Sequence, residues 1–439
     1  MIKFRFLLCF LCSALFILGA QSAEATNGHQ LSAIGAYQQG MGGATTAAPY
    51  DASTSVSNPA GMAMIGNRTD FSFQTFFPTR ETEFSGYGAV PDSSTNGGSN
   101  MYLVPAIGWT AAMDDRNDWF FGGGMYGVSG MGVDYDTVRV PFMESSFGGP
   151  LDDGSSKAHI WSQYQFWKMA PTVAHKSGNF AIGLALNLDY QAFGFKNVFS
   201  GTMGLLPAKF GMDLSEMQGT LGYGATVGFI YQPVPEFSVG ASYSSKQNFG
   251  KFRWRLTADD VSNVLDVNGA YTSSLDGIYT MDLDFPQQAA FGIAVRLGRP
   301  VLWTADVKWI NYSDTYKVVT LKGNFSGGAD VPLDFGWDDV WVYATGLQLD
   351  VTPKFVLRAG YNYSTSPIDQ ADFFEVENNM AFPAIVKQRV AGGFTYRFGR
   401  HWEMTMAYMK AFKEEMTGVT MTKISLEEEG VDFEISYRF

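Results

Sequence analysis

Phe180-Ala181-Ile182-Gly183-Leu184-Ala185-Leu186-Asn187-Leu188-Asp189-Tyr190-Gln191 is the stretch that decides the fold of this chain. Every second residue is large and apolar, and the residues between are small or polar. Strand side chains point alternately to opposite faces, so the segment has one greasy face and one polar face. The same alternation runs through Val431, Phe433, Ile435, Tyr437 and Phe439, with Asp432, Glu434, Ser436 and Arg438 between them. It recurs from Phe285 to Leu297, Trp341 to Leu349 and Phe355 to Tyr363, and in Phe394, Tyr396 and Phe398. Strands of a soluble sandwich also alternate but average about five or six residues. These run to about 9 to 13, the length of a tilted strand that crosses a bilayer.

Composition agrees with that reading. The 439 residues are 17% charged, 46% hydrophobic and 15% aromatic, with 49 glycines. A soluble domain carries about 25% charged residues and about 7% glycine. Mean hydropathy is -0.05, and beyond the N-terminus no apolar run reaches the ~18 residues of a membrane helix, which excludes a helical bundle. Acidic residues exceed basic ones, 43 to 30, so nucleic acid is not an expected partner.

Outward from the deciding stretch, the alternation predicts an all-β fold of fourteen antiparallel strands. They fall near 69–78, 101–112, 118–131, 159–174, 180–194, 221–232, 237–255, 280–297, 301–312, 339–351, 355–364, 386–398, 402–412 and 430–439. Short turns such as Lys176 to Asn179 and Gly399 to His401 alternate with long connections. That is the pattern of an outer-membrane barrel, with short periplasmic turns, long external loops and, for an even strand number, both barrel ends in the periplasm. Tyrosines and tryptophans near strand ends, among them Trp303, Trp341 and Trp402, suit aromatic girdles. The terminal Phe439, with Tyr437 two before it, resembles the signal read by the barrel-insertion machinery.

Residues 1–25 predict a secretory signal peptide: Lys3 and Arg5, then an apolar run, then Ala23-Glu24-Ala25 as a cleavage site. Cys9 and Cys12 both fall inside it, so the remaining chain has no disulfide or thiol nucleophile. Residues 26–66 are small, polar and glycine-rich, without sustained alternation. They contain Gly28-His29-Gln30-Leu31, Gly40-Met41-Gly42-Gly43-Ala44, Asp51-Ala52-Ser53 and Asn58-Pro59-Ala60-Gly61-Met62 in that order. Before a fourteen-stranded barrel, this series resembles the N-terminal plug of the FadL family, outer-membrane transporters of long-chain fatty acids and of aromatic hydrocarbons such as toluene. The resemblance implies that 26–66 is a hatch inside the barrel of 67–439. Gly40, Gly42 and Gly43 would supply positive φ, and Asn58 and Pro59 would hold the hatch's turn.

Inward positions on strands six and seven (Gly222, Gly224, Thr226, Gly228, Ser238, Gly240) are small, which leaves room for such a plug. Inward lysines and arginines read first as ion pairs across the lumen. The resemblance implies that one or two bind a fatty-acid carboxylate, and Lys308, Arg358 and Arg389 are the candidates. The connection from Lys196 to Thr220 is unusually apolar, and with the one from Leu256 to Tyr279 it is the expected capture site. Phe199, Leu205, Leu206 and Phe210 would form one wall, Val264 and Leu265 the other. The only glycine triplet, Gly122-Gly123-Gly124 in strand three, lies where the FadL family has its kinked strand and is the expected lateral opening.

Catalytic and metal readings are thin. His29, His159, His175 and His401 lack metal-ligand spacing, and Ser129 in Gly127-Val128-Ser129-Gly130-Met131 lacks the second glycine of a nucleophile elbow. The expectation is a non-enzymatic transporter without metal or cofactor. It would passively import hydrophobic compounds, long-chain fatty acids first. Aromatic or aliphatic hydrocarbons, a general diffusion porin, and a barrel enzyme or adhesin are the alternatives. Its partners would be outer-membrane lipid, lipopolysaccharide, the hydrophobic substrate and the insertion machinery.

Overall fold

A computed structural model describes residues 27–86, 92–144, 149, 156–203, 206–257, 260–263, 276–325 and 329–439. The expected signal peptide, and Leu205, Val264 and Leu265, lie outside the described residues.

Fourteen strands close into one antiparallel barrel. In chain order they are β1 (Arg68–Phe84), β2 (Tyr102–Ala112), β3 (Trp119–Arg139) and β4, which runs in two pieces (Lys157–Met169 and Thr172–Ser177). Next come β5 (Phe180–Met203), β6 (Leu206–Val234), β7 (Phe237–Ser244), β8 (Gln288–Leu297) and β9 (Val301–Ile310). The last five are β10 (Val340–Thr352), β11 (Phe355–Ser364), β12 (Gln388–Phe398), β13 (Trp402–Thr417) and β14 (Thr422–Arg438). The seam between β1 and β14 is continuous from Arg68↔Arg438 to Phe84↔Thr422. Closure of this kind pairs the backbone groups that lipid cannot hydrogen-bond.

The deciding stretch behaves as its pattern requires. Phe180, Ile182, Leu184, Leu186, Leu188 and Tyr190 are exposed on the outer wall, while Ala181, Gly183, Ala185, Asn187 and Asp189 are buried inside. Phe71, Ile107, Trp109, Phe291 and Trp341 continue the apolar outer face around the barrel.

Three expectations are corrected. The apolar connection from 196 to 220 is no free loop, because β5 and β6 continue through it as a long hairpin and Phe199 pairs with and stacks on Phe210, with ring centroids 5.2 Å apart. The alternation carries on past the membrane edge, and a paired hairpin satisfies its backbone better than an irregular loop. The strands expected at 237–255 and 280–297 each split. Phe252–Leu256 and Gly277–Met281 leave the barrel and join Val318–Lys322 and Val331–Asp334 in a separate four-stranded sheet. That sheet buries Phe252, Trp254, Tyr279 and Leu321. Finally, β1 runs to Phe84 rather than ending at 78.

The N-terminal segment from Asn27 to Gly66 packs against the inward faces of the strands. It carries three short helices, α1 (Ala36–Gly40), α2 (Thr54–Ser57) and α3 (Met62–Ile65). Small inward residues make its room: a Cβ built on Gly183 would come within 2.3 Å of the Pro59 backbone, and one on Gly228 within 2.0 Å of Asn58 Oδ1.

Candidate functional site

The N-terminal segment is tied to the wall at its base, middle and tip. At the base, Arg68 is fully buried against Asp70 (2.6 Å) and donates to the Tyr50 carbonyl, while Asp70 accepts from Ala52 N–H (2.7 Å) and Glu434 from Ala36 N–H (3.1 Å). In the middle, Asn58 Nδ2 donates to the carbonyls of Thr46 (2.7 Å) and Phe229 (3.2 Å), and its Oδ1 accepts from Ala60 N–H at 3.3 Å. Pro59 opens the 3-10 turn that follows. Gly42 and Gly43 take positive φ, and a Cβ on Gly42 would sit 2.7 Å from Tyr361 N. Gly40 does not take the positive φ expected of it: it is the last residue of α1 and rests against the Arg358 side chain. Burial and the neighbouring Asp70 push the Asp51 carboxyl up to about 6.

The tip is His29, which sits among the rings of Tyr164, Phe285, Tyr312, Tyr316 and Trp337, with centroids between 4.8 and 5.5 Å away. Ser129 Oγ donates to the His29 carbonyl (2.6 Å) and lies 2.5 Å from its Nδ1. With the hydroxyl proton committed, Nδ1 must be the protonated nitrogen, which leaves Nε2 as a bare acceptor without a partner among the described residues. Burial holds the imidazole down to about 3, so it stays neutral. The pair therefore fastens the tip to β3.

At that point the wall is incomplete. Pairing between β2 and β3 runs from Ala112↔Phe120 to Ala106↔Tyr126 and ends there. Above it, β3 bulges at Gly127–Ser129. Gln30 bridges to Ser129, and Leu31 N–H donates to the Val128 carbonyl at 3.2 Å. Ser129 already pairs with Phe166 of β4 on its other side, so the N-terminal segment occupies the edge that β2 gives up. An unpaired strand edge is a template for another strand, and here the chain supplies its own.

A cavity of about 320 Å³ opens at this gap. Its lining includes inward-facing Tyr164 and Phe166, the tip residues His29 and Leu31, and also Met101 and Leu103, which are 67% and 63% exposed on the outer wall. The cavity therefore joins the lumen to the membrane face of the barrel. A smaller apolar pocket, with Tyr164 and Met131 in common, continues toward the external side between Phe193, Phe335 and Phe382.

The glycine triplet lies below this gap. Gly122 and Gly124 stay paired with β2, while the partner strand β4 breaks at Ala170–Pro171 opposite Gly123, whose φ is +138°. Proline has no N–H for the ladder, and the glycine lets the Ala170 carbonyl approach where a Cβ would lie 2.3 Å from it. The three candidate cations lie outside the large cavity's lining. Arg358 bonds Gln348 and Thr395 and lies over the Tyr37 and Tyr50 rings. Arg389 donates to Asn27 and Asn362. Lys308 lines a small polar cavity of about 70 Å³ beside Thr45 and Thr46. Other inward cations pair as expected, Lys246 with Asp314 (3.2 Å) and Arg296 with Asp350 (3.2 Å). Arg80 in the cavity lining lies two residues beyond the expected end of strand one at 78; the inward phase of Phe76 and Pro78, carried on, reaches it.

A closed fourteen-stranded barrel with an apolar outer band, a lumen filled by its own N-terminal segment and a cavity reaching the membrane face defines an outer-membrane transport barrel. The chain belongs to the outer membrane protein transport protein family (OMPP1/FadL/TodX), whose profile it matches over residues 15–437, and it is an outer-membrane protein of Gram-negative bacteria. It is similar in structure to the Pseudomonas putida toluene transporter TodX (TM-score 0.73, 19% identity, 93% of this chain and 99% of that one). A Pseudomonas aeruginosa FadL homologue (0.71, 16%, 94% and 99%) and the Ralstonia pickettii toluene transporter TbuX (0.67, 17%, 93% and 99%) are also similar. No curated protein sequence matches the chain.

Proposed function

We propose that the protein takes up hydrophobic small molecules passively, with long-chain fatty acids as cargo, and releases them sideways between β2 and β3. The observation that carries this reading is the cavity lined by both lumen-facing and membrane-facing residues at the point where the β2–β3 ladder ends. Each buried CH₂ is worth about 0.8 kcal/mol, so a greasy cargo keeps that gain by passing into the bilayer and loses it on entering the periplasm. Above the cavity, Phe199 and Phe210 sit on the extended hairpin and, with Leu205, Leu206, Val264 and Leu265, remain the proposed capture surface. The N-terminal segment acts as the gate, with His29 as its tip. Aromatic hydrocarbons are the second reading, favoured by the five rings around His29 and by the toluene transporters among the structural neighbours.

A cross-link tests the route. A Cβ built on Gly127 lies 3.7 Å from Val104 Cβ, inside the ~3.5–4.5 Å range of a disulfide. In the double variant Val104→Cys/Gly127→Cys, oxidation pins β2 to β3 at the foot of the gap. Uptake of radiolabelled oleate should fall severalfold and recover on adding dithiothreitol. Equal uptake in the oxidised and reduced forms would refute lateral release.

A further inference from the structure

The four-stranded sheet that stands apart from the barrel has two unlike faces. One buries Phe252, Trp254, Tyr279 and Leu321 toward the barrel mouth, where Trp254 Nε1 donates to the Glu216 carbonyl at 2.9 Å. Strand side chains alternate, so the other face turns away from the lumen. It carries Arg253, Arg255 and Lys322, with Lys251 at its edge, and all four are exposed. Lys251 lies 3.1 Å from Asp282. The side chains of Arg253, Arg255 and Lys322 have no ion pair or hydrogen bond among the described residues.

The register sets their spacing. Arg253 is opposite Thr280 and Thr280 is opposite Lys322, so these two cations stand two strands apart, about 10 Å. Arg255 follows on the same face, about 7 Å along the strand. The rest of the external surface does not look like this. Acids outnumber bases in the chain, 43 to 30, and Lys410, Lys413 and Lys423 of the β13–β14 hairpin are each paired with a glutamate. Three unpaired cations on one face set up a positive field that only an anion from outside the chain can satisfy.

We propose that this face docks on the phosphates of lipopolysaccharide, the anionic lipid of the outer leaflet. The sheet leaves the barrel after β7, whose Tyr243 is exposed on the outer wall, and so it projects on the external side, where those phosphates lie. A guanidinium presents a fork of N–H groups that matches phosphate oxygens. Divalent cations ordinarily relieve the repulsion among these phosphates, and fixed cations of a protein can take their place. The proposal does not depend on which cargo is carried.

The test measures binding of deep-rough lipopolysaccharide to the full protein in neutral detergent with EDTA, which removes divalent bridges. The comparison ligand is the same lipopolysaccharide stripped of phosphate with hydrofluoric acid. Wild type should prefer the phosphorylated form about ten- to a hundredfold, as three cations beside an anionic surface supply. In Arg253→Gln/Arg255→Gln/Lys322→Gln that preference should fall toward one. Arg299→Gln/Lys354→Gln/Arg400→Gln, which removes equal charge from exposed positions on the periplasmic turns, should keep it. Heat-modifiable electrophoretic mobility reports whether each variant folds; should the sheet variant not fold, Arg253→Gln alone must still lower the preference. No preference in wild type, a preference unchanged in a folded sheet variant, or an equal loss in the turn variant overturns the docking. Full competition by millimolar inorganic phosphate would mark a free-phosphate site and overturns it too. Loss of oleate binding in the sheet variant, with the lipopolysaccharide preference intact, would make the face a capture surface and likewise overturns it.

Discussion

At the residue scale, the N-terminal segment is held to the wall by side chains on strands far from it in sequence, such as Glu434, and Asp51 shows how pH bears on that hold. Its carboxyl faces Asp70, Arg68 and Glu434 from the strands and accepts from Ser53 N–H at 3.0 Å and from the Ser53 hydroxyl. Held up to about 6 against an ordinary 3.8, it is neutral when docked at acid pH. An acid with a raised value contributes docking stability that is fully present below its ordinary value and is lost as pH rises through the docked one. Proteolysis of the segment in the folded barrel should therefore speed up between about pH 4 and pH 7. Asp51→Asn, which keeps the acceptor and cannot ionise, should flatten that rise. A wild-type cleavage rate that is level across the range would remove Asp51 from the hold.

At the element scale, glycines decide where strands close and where they yield. Replacing Gly122, Gly123 and Gly124 by Val would drive Cβ atoms to 2.1 Å from the Trp109 and Ile107 carbonyls and 2.3 Å from that of Ala170. The triplet is packed, and its substitution would damage the barrel before it tested an exit. Gly228 is the more useful position. Its Cβ would meet the Asn58 amide and Pro59, both on the removable segment. Gly228→Leu should leave a heat-modifiable barrel but displace the segment, raising single-channel conductance severalfold. Unchanged conductance would mean that the segment repacks around the new side chain.

At the scale of the whole molecule, the barrel and its N-terminal segment complete one another. The segment takes the β3 edge that β2 leaves open, and β14 and β1 supply the charges that seat it. Deleting residues 26–39 removes His29, the bridge to Ser129 and all of α1 but Gly40. The truncated barrel should still close, since the strand ladders run among themselves. Its conductance should rise and oleate uptake should be lost, checked by planar-bilayer recording and by growth on oleate as carbon source. Normal uptake by the truncated protein would reduce the segment to a tail.

Alternation along Phe180–Tyr190 and Val431–Phe439 determined by itself that this chain is a membrane barrel and which face of each strand meets lipid, because a two-residue period is a local property that any strand must obey. Strand number and the alternation of short turns with long connections were legible for the same reason. The ends of β1, β5 and β6 were not, since nothing local marks where a strand leaves the membrane and continues as a hairpin. The gap between β2 and β3 and the ring cage of His29 depend on residues far apart in the chain. Arg80 is the sharpest case: its side chain reads as a loop cation in sequence. Only the register of β1 against β14, the bulge in β3 and the tip of the N-terminal segment turn it into a buried charge at the mouth of an apolar cavity. Burial and pairing are properties of the packed whole, and no local pattern encodes which polar atoms it leaves without a partner.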